Sequence, residues 1–399
     1  MPVNHQPRLA ILLIFCCTVP AWAQDRDTLQ FNAGYELQTD TNVFRLPASK
    51  LASGGTPSET EHIRRSSLGL SVDKPYSLQR FQLDLGLIDS RYQNSSYLSF
   101  IARNASAAWL WSVTPKLHGN ISGSRTETLS SFADNQTVNV RNLQRNTSTR
   151  IDATYELTGP WSVVGGVTSK VQSYVQPLAA EGATSSIAGD AGFSYSWPSG
   201  TQLSYAFKDT KGSYTNRVIQ PTLLYDDGFN QRDNELKLHW IVSDKSTIDM
   251  SSAYISRTHP HFAERNYSGF NSGLGLNWAI TGRTAVTTAW IRELSSYQDT
   301  VTNYTRTDRL SLSPSWQISA KTTVKASYSI AVRDYMGSPS GLTASPRRDT
   351  TRETSLSLEW LPSQNLTLST SLQNAKRSSN QSAFDYKSNM AMFKAQYSY

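Results

Sequence analysis

LSLSPSWQISAKTTVKASYSIAV, residues 310–332, decides how the rest of the chain is read. Leu310, Leu312, Pro314, Trp316 and Ile318 alternate with Ser311, Ser313, Ser315 and Gln317. A short turn at Ser319, Ala320 and Lys321 leads into Val324, Ala326, Tyr328, Ile330 and Val332, which alternate with Lys325, Ser327, Ser329 and Ala331. Period two predicts a hairpin whose strands have one apolar and one polar face. In a soluble sandwich the apolar face would be core. Here the polar face is almost wholly Ser, Thr, Gln and Lys, and the pattern returns in hairpin after hairpin, as in a wall with lipid on one side and water on the other.

Working outward, short reversals rich in turn-forming residues fall at 73–77, 114–115, 159–160, 198–200, 243–244, 281–282, 319–320 and 362–363. Longer polar segments lie between them, among them 39–62, 127–142, 209–231, 257–266 and 334–351. This alternation predicts an all-β fold, a transmembrane antiparallel up-and-down barrel of about eighteen strands with short periplasmic turns and long extracellular loops. Strands of ~10 residues tilted ~45° span roughly 23 Å, close to the apolar band of such barrels. Trp111, Tyr155, Trp197, Trp240, Trp278, Trp316 and Trp360 each stand shortly before a short turn, where they predict a periplasmic aromatic girdle. A propeller is the competing architecture, but its blades pack four short strands into ~40 residues and bury both faces.

The 399 residues are 38% hydrophobic with a mean hydropathy of -0.45, which does not exclude a barrel because only alternate residues meet lipid. His5 and Arg8, the apolar run 9–19 and Ala21-Trp22-Ala23 read as a signal peptide over residues 1–23, leaving 24–399 as the barrel. Cys16 and Cys17 both fall in that peptide, so no disulfide is expected. The modest basic excess is scattered, which argues against a nucleic-acid partner. Phe393, Tyr397 and Tyr399 close the chain, and a last strand ending in an aromatic residue resembles the signal read by the outer-membrane assembly machinery.

No GxSxG elbow, HExxH helix, phosphate loop or cysteine pair occurs after residue 23, so no enzyme and no cofactor are expected. His259 and His261, with Glu264 nearby, are read as solvated loop residues rather than metal ligands. If the apolar face points outward, Arg80, Asp84, Arg150, Asp152, Glu156, Lys208, Lys237, Arg309, Lys325 and Arg333 face the lumen among hydroxyls and amides. Such a wall suits a polar polymer or small hydrophilic solutes; for each charge the alternative is pairing that only stabilises the barrel. Residues 39–62 and 209–231 are long enough to fold in as a plug.

DTNVFRLP (40–47), DKPYSLQRFQLD (73–84), RYQNSSYLSF from Arg91 and AAWLWSVTPKLHG from Ala107 resemble the EpsL-type outer-membrane β-barrel proteins of exopolysaccharide operons linked to the exosortase/PEP-CTERM system. The resemblance implies a place in biosynthesis and export of an extracellular polysaccharide. With the barrel pattern and the aromatic last strand, the expected partners are the bilayer with its lipopolysaccharide, the assembly machinery, the exopolysaccharide and periplasmic polysaccharide export proteins. The resemblance brings no catalytic residue. A diffusion porin, an oligosaccharide uptake channel and a non-conducting scaffold are the alternatives.

Overall fold

Alternating side chains become long antiparallel strands, each hydrogen-bonded to its neighbours in sequence. A computed structural model describes residues 29–399 apart from 52–59, 135, 137–139, 177–181, 216 and 339–345; the expected signal peptide lies outside the described residues. The first strands are β1 (Leu29–Asp40), β2 (Glu61–Tyr76), β3 (Gln79–Tyr92), β4 (Phe100–Thr114), β5 (Leu117–Leu129) and β6 (Leu143–Glu156). The next six are β7 (Trp161–Tyr174), β8 (Thr184–Ser196), β9 (Gln202–Tyr214), β10 (Gly228–Ser243), β11 (Ser246–Thr258) and β12 (Tyr267–Ala279). The last are β13 (Thr284–Ser296), β14 (Tyr304–Ser319), β15 (Thr322–Met336), β16 (Arg348–Trp360), β17 (Leu366–Ser379) and β18 (Tyr386–Ser398).

The sheet closes. β18 pairs with β1, Tyr35 standing opposite Ala395 and Asp40 opposite Met390. Phe31 and Tyr399 complete the seam by exchanging both backbone hydrogen bonds, at 2.8 and 2.9 Å. Among the described residues this gives one barrel of eighteen strands with every strand paired on both sides. An unpaired strand edge in hydrocarbon would cost several kcal/mol per backbone group, so closure is what lets strands cross a membrane at all.

The connections alternate short and long. The nine long ones are loops L1 (residues 41–60), L2 (93–99), L3 (130–142), L4 (175–183), L5 (215–227), L6 (259–266), L7 (297–303), L8 (337–347) and L9 (380–385). Two boundaries differ from the sequence reading. The first hairpin turns at Ser77 and Leu78, with Ser77 at φ 53°, because β2 runs through Pro75 and ends at Tyr76. The two ends of segment 209–231 are strand, β9 reaching Tyr214 and β10 starting at Gly228, so L5 is shorter than expected.

Apolar residues cover the outside in place of a core. Leu37, Leu68, Leu87, Ile151, Leu236, Phe270, Leu310, Leu356 and Leu372 are all exposed, on the faces that register aligns across the sheet. Tyr155, Trp197, Trp240, Trp278, Trp316 and Trp360 are exposed on the same face near the short turns, joined by Phe81, Trp109, Trp161 and Phe193. Trp109 stacks on Phe81 at 5.8 Å, and Tyr195 packs edge-on against Trp197 at 4.6 Å.

Trp111 differs, being half-buried because its ring lies over Gly119 on the next strand. A Cβ at Gly119 would overlap both that ring and the Asp152 carbonyl oxygen. Gly119→Val is therefore expected to destabilise the barrel by about 2 kcal/mol or more. The check is the urea midpoint at which the variant, refolded in lipid vesicles, loses its fast heat-modifiable band on a cold SDS gel; an unchanged midpoint would refute the packing argument.

Candidate functional site

Strand parity sets the inner wall. With the apolar set outside, Ser311, Ser313, Ser315, Ser327, Ser329, Ser355, Ser357, Ser369 and Ser371 line one sector of the lumen across β14 to β17. Ser327 and Ser355 hydrogen-bond at 2.7 Å, as do Ser162 and Ser194 across β7 and β8.

All ten sequence-predicted lumen residues lie on this inner face, and most meet a partner. Arg150 forks onto Asp190 at 2.6 and 2.9 Å and reaches Asp152 at 3.0 Å. Lys208 meets Asp233 at 2.7 Å, Lys237 meets Glu235 at 2.8 Å, Lys325 meets Glu359 at 3.0 Å, and Arg80 meets Asp73 at 2.5 Å. Asp84 accepts from the Ser106 hydroxyl at 3.1 Å, and Glu156 stands 3.9 Å from His118. Arg309 and Arg333 share a recess with Glu293, Thr305 and Thr307. The wall is thus hydroxylated, and many of its charges are matched locally. Solvent-exposed pairs of this kind add little to stability, so their effect is to cancel the field more than to hold the fold.

Above the wall, L3 crosses the mouth. It leaves between β5 and β6, and its Asp134 ends against Arg333 of β15, Arg347 of L8 and Arg377 of β17, at 3.4, 3.0 and 3.0 Å. L3 thus links the β5–β6 hairpin to strands that are not its neighbours in the ring. Arg377 also donates to the Ala133 carbonyl, and Arg347 is held by Asp349 at 2.6 Å while stacking on Phe384 at 3.5 Å. Burial alone would raise the Asp134 carboxyl, but Arg333, Arg377 and Arg347 outweigh it and keep it below the usual carboxylate range.

The root of the strap is apolar. Phe132 packs edge-on against Phe44 of L1 at 5.0 Å, in a cluster with Leu46, Ile63, Tyr92 and Leu98, and Gln136 donates to the Arg45 carbonyl. From segment 39–62, Phe44, Leu46 and Arg45 pack at the root of L3, and residues 52–59 lie outside the described residues. The crossing itself is made by L3, a role the sequence reading had not given it.

Across the mouth, L5, L6 and L7 are tied by one buried guanidinium. Arg265 donates to the carbonyls of Leu223 and Leu224 in L5 and of Asp299 and Thr302 in L7, at 2.8–3.1 Å. Beside it His259 is buried, 3.0 Å from the Gln298 amide nitrogen and 3.4 Å from the Tyr214 hydroxyl, with its Nδ1 unpartnered. Burial, aided by Arg257, pushes its pKa down to about 4. His261 faces water and bonds Asp226 at 3.0 Å; that bond raises its pKa, while Asp226 is drawn down to about 2 against the effect of burial. Asp226, Asp227 and His261 stand close enough to hold a metal. Asp226 is, however, already engaged by the His261 ring and by the backbone N–H groups of Asp227 and His261. Glu264, the third residue of the sequence trio, is not in this group.

No protein-family model and no curated protein matches this sequence. Solved structures do. OpdK, an outer-membrane protein of Pseudomonas aeruginosa, aligns over 93% of this chain and 99% of its own with a TM-score of 0.52 at 12% identity. OccAB3 of Acinetobacter baumannii aligns over 94% and 99% with a TM-score of 0.51 at 9% identity. The chain has the fold of an outer-membrane porin barrel.

Two outcomes follow from the mouth. Asp134→Ala leaves three arginines without their shared carboxylate and is expected to loosen L3 by about 3 kcal/mol, raising single-channel conductance in planar bilayers. Asp209→Ala, on the outer face, should leave conductance unchanged, and equal currents in both variants would show that L3 does not limit the path. Because His259 is held neutral, the undocked loop binds more protons, so docking weakens as pH falls from ~6.5 toward 4, by about 3 kcal/mol at most. His261 has the opposite sign: its contact is intact at low pH and is lost as pH rises through its elevated pKa. Hydrogen exchange of L6 should therefore quicken on acidification in the native protein and much less in His259→Gln; identical acid responses would exclude the buried imidazole as the cause.

Proposed function

We propose that this chain is a water-filled outer-membrane channel for polyhydroxylated cargo, serving the export of an extracellular polysaccharide as the family resemblance implies. The observation that supports this most is the serine-lined, charge-cancelled wall between β14 and β17. Each wall hydroxyl can both donate and accept, as a sugar hydroxyl can, so contacts with a glycan exchange for contacts with water at a net of ~1 kcal/mol or less apiece. A chain passing along such a wall is wetted everywhere and trapped nowhere. Pairing of Arg150, Lys208, Lys237 and Lys325 with carboxylates weakens retention of ions along the wall.

In this reading L3 is the gate. A polymer needs the strap to swing aside, and the Asp134 latch sits at the extracellular mouth where an emerging chain would meet it. A diffusion or uptake channel for oligosaccharides is the second reading, and the strap is what favours it, since a fixed crossing loop suits small solutes.

The test is a clean deletion, with polysaccharide measured separately in medium, periplasm and membranes. Export predicts polymer lost from the medium and retained in the periplasm, restored by the wild-type chain. Unchanged secretion with altered uptake of small sugars would transfer the assignment to the second reading.

A further inference from the structure

On the outer face, at the ends of β16, β17 and β18 away from the short turns, three cations stand in one row. Register places Arg352 opposite Lys376 and Lys376 opposite Lys387. All three are exposed. Like charges directly opposite on adjacent strands are destabilising, and an acidic neighbour is the usual remedy. None lies on these strands: the acids of β16, Asp349, Glu353 and Glu359, alternate onto the lumen side, and β17 and β18 contain no Asp or Glu. Three other outward cations have an acidic partner. Arg91, opposite Arg64, is paired with Asp89 at 2.8 Å, Arg232 with Asp209 at 3.3 Å, and Arg292 with Asp308 at 2.8 Å.

The rows beneath give the ladder its meaning. Two residues toward the membrane, the same register aligns Thr354, Asn374 and Asn389, with Asn374 donating to Asn389 at 2.6 Å. Two residues further it aligns Leu356, Leu372 and Ala391, Leu372 being among the most exposed apolar side chains of the barrel. Four residues of a strand tilted ~45° cover roughly 9 Å of membrane depth. Over that distance the surface passes from cation to amide and hydroxyl to hydrocarbon, the order in which an anionic amphiphile presents phosphate, polar backbone and acyl chain.

We propose that the outer face of β16 to β18 is a binding site for a phosphorylated glycolipid of the outer leaflet. Its phosphate lies over Arg352, Lys376 and Lys387, its sugar and acyl-linkage groups against Thr354, Asn374 and Asn389, and its chains against Leu356 and Leu372. Phosphate supplies the counter-charge that the protein omits, and a free anion would leave the two lower rows without a role. The site is independent of what passes through the lumen.

The test uses the full barrel in phosphatidylcholine nanodiscs doped with bisphosphorylated lipid A, with bound lipid A counted by native mass spectrometry. A cation beside an anionic lipid surface is worth about fivefold in affinity, so the triple variant Arg352→Gln, Lys376→Gln, Lys387→Gln should bind on the order of a hundredfold more weakly. Arg91→Gln, Lys211→Gln, Arg232→Gln removes as many outward cations elsewhere and should change little. The ladder variant should also resist urea at least as well as wild type, because repulsion has been relieved, and Lys376→Gln alone should show a smaller loss of the same kind. Equal loss in both triples, or equal binding of dephosphorylated lipid A, would overturn the proposal. So would displacement of lipid A by inorganic phosphate at matched phosphate concentration, which would make the row a simple anion site.

Discussion

A backbone amide in hydrocarbon must find its partner within the protein, and the seam between β1 and β18 is where that requirement is finally met. With Phe31 and Tyr399 bonded to each other, no strand in the ring has a free edge. Every other property follows from that closure. A closed wall has two sides in two solvents, so each strand must alternate, and the alternation removes any need for a conventional apolar interior. The buried apolar cluster that does exist sits at the mouth, where loop residues Phe44, Leu46, Leu98 and Phe132 meet Ile63 and Tyr92 at the ends of β2 and β3.

Charge is handled differently in each zone. Inside, where water is present, cations such as Arg150 and Lys208 are matched locally. At the mouth, charge is concentrated: three arginines converge on Asp134, and Arg265 spends its donors on carbonyls of two other loops. Guanidinium suits both places because its planar fork can serve several acceptors at once. On the outer rim of β16 to β18 the protein leaves cations unmatched, in the one zone where the surrounding medium can provide the anion.

Much of this was legible in the chain itself, because period two, turn chemistry and tryptophan position are local signals. The hairpin at 310–332 appears with the register its alternation implies, Leu310 opposite Ile330 and Trp316 opposite Val324. The sequence reading named no pairs, yet Arg150 with Asp152 and Lys237 with Glu235 stand two residues apart on one face, where strand parity alone brings them together. The strap was not legible. Asp134 lies 199 residues from Arg333 and 243 from Arg377, and nothing near it in sequence announces an arginine cage. Loop length misled at 209–231 because β9 and β10 continue beyond the membrane, where polar residues form strand as readily as loop. Pro75 suggested a reversal, yet it is accommodated within β2 close to the turn.

A wide ring of strands is stiff along its axis and soft in cross-section, since squashing it into an oval changes only small angles between neighbouring strands. L3 links separate parts of that soft rim. Rooted between β5 and β6 and latched by Asp134 to Arg333 and Arg377, it works as a tie that resists movement of β15 and β17 away from the β5–β6 hairpin. Whatever unhooks Asp134 therefore also changes the roundness of the rim, coupling the shape of the opening to the lateral pressure of the membrane around it.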